Sequence, residues 1–374
     1  MEREELVIST KNKKLRWILF ILAFLIAVTA FGYGVSRMGY QEPGLQEIEA
    51  EPDEEAPMYA SGYHLFYEFN GSSDEIKAAK NRLRDDWSHA LIYAYKLLDA
   101  RNEYDGYVNI AYINHHPGEE IAVSEELSAI LNDAAEKEDA EVYSPYYGPV
   151  FGLWHEILYL DEPQASDPLN DPWQKERLER IVPLLNSENA ELRISADKVK
   201  LSLSNALSDE LDALEMSREI IDLGLMHDAY LVKLVREQLN RQGWTNGYLE
   251  TDDGMILSLG EHSGETFLIY AYRDGEPAEN ERITAEGDFV CSRIKSFSLG
   301  EPGYYTIEKD DEVYFRHPYI SVSGYPEDRY MITYWLDSNG DPLMAAYQNL
   351  ILQAGKVREP HSGSYYLQEK PTAE

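Results

Sequence analysis

The chain has 374 residues, with 33 Lys and Arg against 68 Asp and Glu, a formal net charge of −35. So acidic a surface repels phosphate backbones, which excludes nucleic-acid binding as the main task. A hydrophobic content of 44% with 28 Tyr excludes wholesale disorder, and the one cysteine, Cys291, excludes a disulfide framework or a thiolate zinc cluster.

In chain order, Lys11, Lys13, Lys14 and Arg16 precede an uncharged run from Trp17 to Ser36. Such a run matches the roughly 20 residues a helix needs to cross the hydrocarbon core, and its positive flank predicts that the N-terminal side stays in the cytoplasm. The expected layout is a cytoplasmic N-terminus over 1–16, a transmembrane anchor over 17–36 and an extracytoplasmic bulk, making a single-pass protein of the cell membrane. A cleaved signal peptide is the competing reading, since Val28 and Ala30 suit a cleavage site. Residues 41–58 carry Pro43, Pro52, Pro57 and many Glu, and read as an acidic stalk extended by self-repulsion. The expected globular ectodomain is 59–358, followed by a polar tail over 359–374.

Within the ectodomain, Ser72 and Glu75 form a capping box before an amphipathic helix carrying Leu83, Trp87, Leu91, Ala94 and Leu98. Ser124 caps a second helix, and Asp171-Pro172 starts a third with proline where its missing N–H costs nothing. Leu192/Ile194 and Val199/Leu201/Leu203 alternate around Ala196-Asp197-Lys198, which predicts a hairpin. A helix is predicted from Met226 to Arg241, then strands at 248–249, 255–259, 266–272, 304–307, 313–315 and 330–335, then a helix from Leu343 to Ala354. Helices and strands fall in patches, so the fold class is α+β, with mixed sheets and packed helices.

The usual catalytic signatures are missing: the sequence has no P-loop, no dinucleotide glycine fingerprint and no nucleophile elbow. His115-His116 precede Pro117-Gly118 and read as a surface turn. Asp337 to Asp341 resembles the start of a calcium loop, but Pro342 stands in the glycine's place. Asp310-Asp311 fits a hairpin turn, and Cys291 an inert buried thiol.

The segment Asn102 to Gly106, with Ile110 and Ile113-Asn114, resembles the ApbE-type flavin transferases, the FAD:protein FMN transferases. The likeness continues through Gly148-Pro149-Val150 with Leu153-Trp154, then Ile221-Asp222-Leu223-Gly224 with Tyr230. It ends with His317, Ser323-Gly324-Tyr325-Pro326 and the closing helix to Gly355. The order of these segments over 59–355 carries the resemblance. It implies the family fold, FAD as substrate or ligand, and transfer of FMN to a Thr or Ser of an exported acceptor protein, assisted by magnesium. The positions it marks for the flavin are Asn114, Trp154, Asp222, Gly224, Tyr230, His317 and Gly324, although Trp154 and Tyr230 also suit a core, and Asn114, Gly224 and Gly324 a loop or turn.

The departures cluster at the reaction centre. The family's metal-binding Asp and Thr fall at Ala345 and Asn349, its lysine at Asp228 and the following glycine at Ala229. Ser144 replaces an acid, and Ile320 to Ser323 replaces an Asp-Pro-Arg-Thr loop. His361 to Ser364 lacks the family's acceptor pattern, so self-flavinylation is not expected. Two readings stay open: a membrane-anchored flavin transferase, or a non-catalytic flavin-binding or scaffold ectodomain on the same fold.

Overall fold

The main sheet has seven strands, each beside the next in chain order: Gly44–Ile48, Tyr63–Phe69, Gly247–Thr251, Met255–Ser258, Val290–Lys295, Tyr330–Asp337 and Ser364–Glu369. From Tyr63 onward every pairing is antiparallel. The strand Tyr330–Asp337 is buried along nearly its whole length, because both of its faces are covered. On one face Ile332 and Tyr334 pack with Ile269, Phe289 and Cys291. On the other, Thr333 donates to Gln353 Oε1 at 3.2 Å, tying the strand to the helix Pro342–Gln353. Burial pushes the Cys291 thiol up to about 12, so it is protonated and inert, as the sequence suggested.

The computed structural model describes residues 13–37, 40–195, 197–252, 254–260, 266–273, 276–284, 288–295, 301–356 and 363–370. Residues 1–12, Ala196 of the predicted hairpin, and His361-Ser362 lie outside them. By contacts the chain divides into two units, Met1–Gly44 with Phe69–Asn81, and Leu45–Glu68 with Arg82–Glu374. The first holds the helix Lys13–Arg37, whose side chains from Trp17 to Val28 are exposed. Among the described residues no helix is long and apolar enough to cross a membrane. This unit also holds the capping box: the Ser72 N–H and hydroxyl both donate to Glu75 Oε2, at 2.9 and 2.7 Å.

The second unit holds the core, and most predicted elements appear there. From Leu83 to Leu98 the apolar stripe of the helix Ser73–Leu98 is buried. Ser124 accepts from Leu127 N before the helix Glu125–Glu136, and Asp171 from Trp173 N before Pro172–Ile181. Strands Ala190–Ser195 and Lys198–Leu203 pair antiparallel, as predicted. Asp310 and Asp311 both have positive φ, at 55° and 65°, and close the two-residue turn between Tyr305–Lys309 and Glu312–Arg316. Helices Ile110–His115, Gly148–Leu158 and Asn205–Ala213, and the strands at 44–48, 63–69, 276–284 and 364–369, were not foreseen.

Two expectations are overturned. The expected stalk is structured from residue 45: it supplies a strand to the main sheet, and Ile48 and Ala56 are buried. Its acids are not all solvated, since Asp53 and Glu55 meet Lys96 at 3.3 and 2.6 Å. The expected polar tail contains the strand Ser364–Glu369, paired with Tyr330–Asp337. Within it Tyr366, Leu367 and Gln368 are half-buried and the residues at its ends are exposed.

Candidate functional site

Four parts of the second unit surround a cavity of about 300 Å³. The helix Gly148–Leu158, begun by Pro149, contributes Phe151, Trp154, His155 and Leu158. The segment from Asp222 through a 3-10 turn, Gly224–Met226, into the helix His227–Arg241 contributes Asp222, Gly224, His227 and Asp228. Strands of the main sheet bring Thr251, Met255, Ser292, Arg293 and Ile294, with Ala346 contributed by the last helix. Arg101 and the stretch Pro318 to Ile320 complete the wall.

Local geometry explains why these side chains stand where they do. Gly224 has φ of +49°, and a Cβ there would lie 2.5 Å from Phe151 Cζ, so only glycine lets the ring settle on the turn. Asp222 shapes the same turn, accepting the Gly224 N–H at 2.8 Å while its own N–H donates to the Pro145 carbonyl at 2.9 Å. The Trp154 indole N–H donates to the Gly324 carbonyl at 2.7 Å, so its polar group is spent and it offers the cavity its ring. The Arg316 guanidinium stacks 5.5 Å from that ring's centroid.

The electrostatics are mixed. His227 Nδ1 lies 3.2 Å from Asp228 Oδ1, which also accepts the Tyr63 hydroxyl at 2.7 Å. Burial works against a proton on His227, but the Asp228 hydrogen bond and the charges of Asp228, Asp222 and Asp99 outweigh it and raise the pKa. At the other end His155 is lowered, by burial first and by the Arg101 charge second.

Of the seven positions marked by the resemblance, Trp154, Asp222 and Gly224 converge on the cavity. The other four are not part of its wall. Asn114 is buried behind it, its Nδ2 donating to the Ala100 and Ile221 carbonyls and its Oδ1 accepting from Ile221 N. Tyr230 is buried, donating to Asp133 Oδ2 at 2.5 Å. His317 is fully buried with both nitrogens engaged: Nε2 meets the Glu327 carbonyl at 3.0 Å and Nδ1 accepts Tyr319 N–H at 3.2 Å. Gly324 accepts the Trp154 indole N–H on its carbonyl, and its own N–H donates to the Ser321 carbonyl at 2.9 Å.

Sequence reading missed Arg101, His155 and Arg293. The available signal for Arg293 was a lone charge inside the apolar run Phe289 to Ile294. Arg101 stood one residue before the first segment of the resemblance.

The two positions marked for metal have a poor donor set. Ala345 is fully buried and offers only a methyl group. Asn349 Nδ2 donates to Ser292 O and Oγ, at 3.0 and 3.2 Å, and its Oδ1 is buried without a partner among the described residues. Magnesium takes anionic oxygens in a near-octahedral set, and a methyl group beside one neutral amide oxygen does not fit it.

Solved structures decide the fold. The chain is similar to an ApbE protein from Thermotoga maritima, with TM-score 0.58 and 12% identity, over 87% of this chain and 94% of that one. The apo flavinyl transferase ApbE of Pseudomonas stutzeri matches with TM-score 0.51 and 16% identity, over 84% and 86% of the two chains. The chain has an ApbE-like fold. The flavin transferase ApbE of Vibrio cholerae matches with TM-score 0.50 and 14% identity, over 87% and 97%. No protein-family model matches the chain, and no curated protein matches it. Identity this low extends the ApbE likeness to the backbone arrangement, leaving chemistry to the residues of the cavity.

Proposed function

We propose that this protein is a membrane-anchored, extracytoplasmic flavin-nucleotide-binding protein on an ApbE-like fold, whose metal-dependent FMN transfer has been lost. The observation that carries the reading is the convergence of Trp154 with the distant pair Asp222 and Gly224, two segments separate in sequence, on one cavity of that fold. An aromatic wall of Phe151 and Trp154 suits a flat heteroaromatic ring, which such side chains hold by stacking. The Ala345 and Asn349 pair favours binding over transfer, because breaking a pyrophosphate needs its charge neutralised in the transition state.

The anchor rests on the Lys/Arg flank before Trp17 and the uncharged run behind it. Protease added to intact cells is expected to remove the globular part; full protection with an intact envelope would contradict the topology. For the ligand, the purified full chain in detergent is titrated with FAD, following quenching of flavin fluorescence. Saturable one-to-one binding is expected, and no binding at millimolar FAD would reject the reading. With FAD, magnesium and a threonine-bearing acceptor peptide, no mass gain of FMN on the peptide is expected. Rapid attachment would instead establish the transferase.

A further inference from the structure

Two hydroxyl residues of the cavity wall, Thr251 and Ser292, are buried, with 2% and 6% of their surfaces exposed. They are neighbours on adjoining strands. Ser292 stands opposite Met255 in the antiparallel pair, and the Met255 N–H donates to Thr251 Oγ1 at 3.0 Å. The Thr251 carbonyl takes the Gly254 N–H at 2.9 Å, so this one residue closes the turn and its side chain is fixed by it. Ser292 is fixed by the last helix: Asn349 Nδ2 donates to its carbonyl at 3.0 Å and to its Oγ at 3.2 Å. A carbonyl only accepts, so the carboxamide must turn its NH₂ group to Ser292, and Oγ is an acceptor there too.

A hydroxyl carries one proton and two lone pairs. In both contacts the protein uses a lone pair, with a backbone N–H on Thr251 and a carboxamide N–H on Ser292. The protons are left over, and among the described residues neither hydroxyl donates a hydrogen bond. Buried donors are ordinarily spent on a partner, and two unspent ones in the same cavity wall mark a place for acceptor atoms brought by a ligand. A hydroxyl is neutral, so it suits a neutral acceptor such as a ring carbonyl and asks for no counter-charge. The same cavity offers the rings of Phe151 and Trp154, against which a flat heteroaromatic group stacks.

We infer that Thr251 and Ser292 are the residues that read the ligand's ring, their hydroxyls donating to the carbonyl-bearing edge of a planar heteroaromatic system. Asn349 is then a positioning residue. At a place where the resemblance puts a metal ligand, its amide instead aims the Ser292 proton. The inference rests on the proposed flavin reading and deepens it, because it assigns the isoalloxazine ring, and not the phosphates, to this wall. The hydroxyls bind and orient; no bond is made or broken.

The test uses the full chain in detergent, with riboflavin and FAD as probes, which share the ring and differ in phosphate and adenosine. Ser292→Ala and the isosteric Thr251→Val should each weaken both flavins by the same factor, about three- to tenfold, the loss of one neutral hydrogen bond. Thr251→Ser, which restores a hydroxyl, should bind close to wild type. Asn349→Ala should weaken riboflavin when Ser292 is present but add nothing to Ser292→Ala, since both act through one proton. In infrared difference spectra a carbonyl stretch of bound riboflavin, lowered by the hydroxyl, should rise in Ser292→Ala, a change that loosened packing would not produce. If Thr251→Val unfolds through its turn, Ser292→Ala, which removes no backbone partner, decides alone. FAD weakened with riboflavin unchanged would move the hydroxyls to the phosphates and overturn the inference. So would wild-type affinities with an unshifted carbonyl band, which would leave the hydroxyls to water while the flavin reading stood. Binding of neither flavin by the wild type would reject the flavin reading, and this inference with it.

Discussion

Asn114 grips Ile221 at both ends of one residue: its Oδ1 accepts the Ile221 N–H at 2.8 Å, and its Nδ2 donates to the Ile221 carbonyl at 2.9 Å. The same nitrogen donates to the Ala100 carbonyl at 3.1 Å. Ala100 and Ile221 directly precede Arg101 and Asp222, so one buried carboxamide ties together two stretches of the cavity wall. A side chain marked by the resemblance as a flavin contact thus acts one layer behind the cavity, as a positioning residue.

Asn114→Ala leaves three buried backbone groups without a partner, and each carries a penalty of about 1–3 kcal/mol before relaxation. The expected loss is about 2–4 kcal/mol in urea unfolding, with weaker FAD binding in the fraction still folded. Asn114→Asp should be no better than alanine, because a carboxylate would face two carbonyl oxygens. An unchanged unfolding midpoint for either variant would contradict this account.

Asp167 and Arg316 form an ion pair whose side chains are 0% and 3% exposed, with Tyr305 OH and Leu169 N–H as further donors to Asp167, both at 2.8 Å. Removing one partner strands the other charge in the interior. Asp167→Asn is therefore expected to cost about 3–5 kcal/mol, and the double change with Arg316→Met to recover part of it. Since Arg316 lies over Trp154, the single variant should also shift tryptophan emission. Full additivity of the two single changes would argue against the pair.

Burial pushes the His317 pKa down to about 3, outweighing the Glu327 carbonyl, which favours the proton. Between about pH 3 and the ordinary value near 6.5, the unfolded chain binds a proton that the folded chain refuses. Stability from this group is therefore fully present above about pH 6.5 and declines as the pH falls toward 3, by roughly 3–5 kcal/mol at the acid limit. His317→Asn, which can still donate and accept, should lower stability at neutral pH but flatten its slope between pH 6.5 and 4. A slope equal to wild type would show that His317 is protonated in the native state.

What local pattern can encode was legible in the residues. Ser124, Asp171 and the alternation around Val199 act within a few positions, and each predicted element is found. Long-range pairing was not. The acids of 45–58 look like a solvated stalk because composition cannot show Lys96, the partner of Glu55 41 positions away. Likewise nothing near Ser364–Glu369 announces the strand Tyr330–Asp337 that it joins. In the site, the aromatic and glycine positions were visible through the resemblance. Arg101 and Arg293 were not, since a charge set in a cavity wall is recognisable only when its surroundings are in view.

The segment 45–58 yields the test that separates a spacer from a packed element. Lys96 is 5% exposed at its side chain, with Nζ 2.6 Å from Glu55 and 3.3 Å from Asp53, and 5.3 and 5.7 Å from the Tyr104 and Tyr107 ring centroids. Burial pushes the Asp53 carboxyl up, but the Ala56 N–H and Lys96 outweigh it and hold it below its model-peptide range. That contribution is present above about pH 4 and disappears as the pH falls through the lowered value. The two sides of the interaction are unequal: the acids are 22% and 55% exposed and can return to water, while the ammonium cannot. Asp53→Asn with Glu55→Gln should therefore cost about 1–3 kcal/mol, discounted for the exposure of Glu55. Lys96→Met, which removes the buried charge itself, should cost less, near 1 kcal/mol, by the same reasoning. Thermal melts of the full chain at pH 7 give both numbers. Equal costs would mean that the pair is held at the surface, and no cost for either would return 45–58 to the role of a spacer.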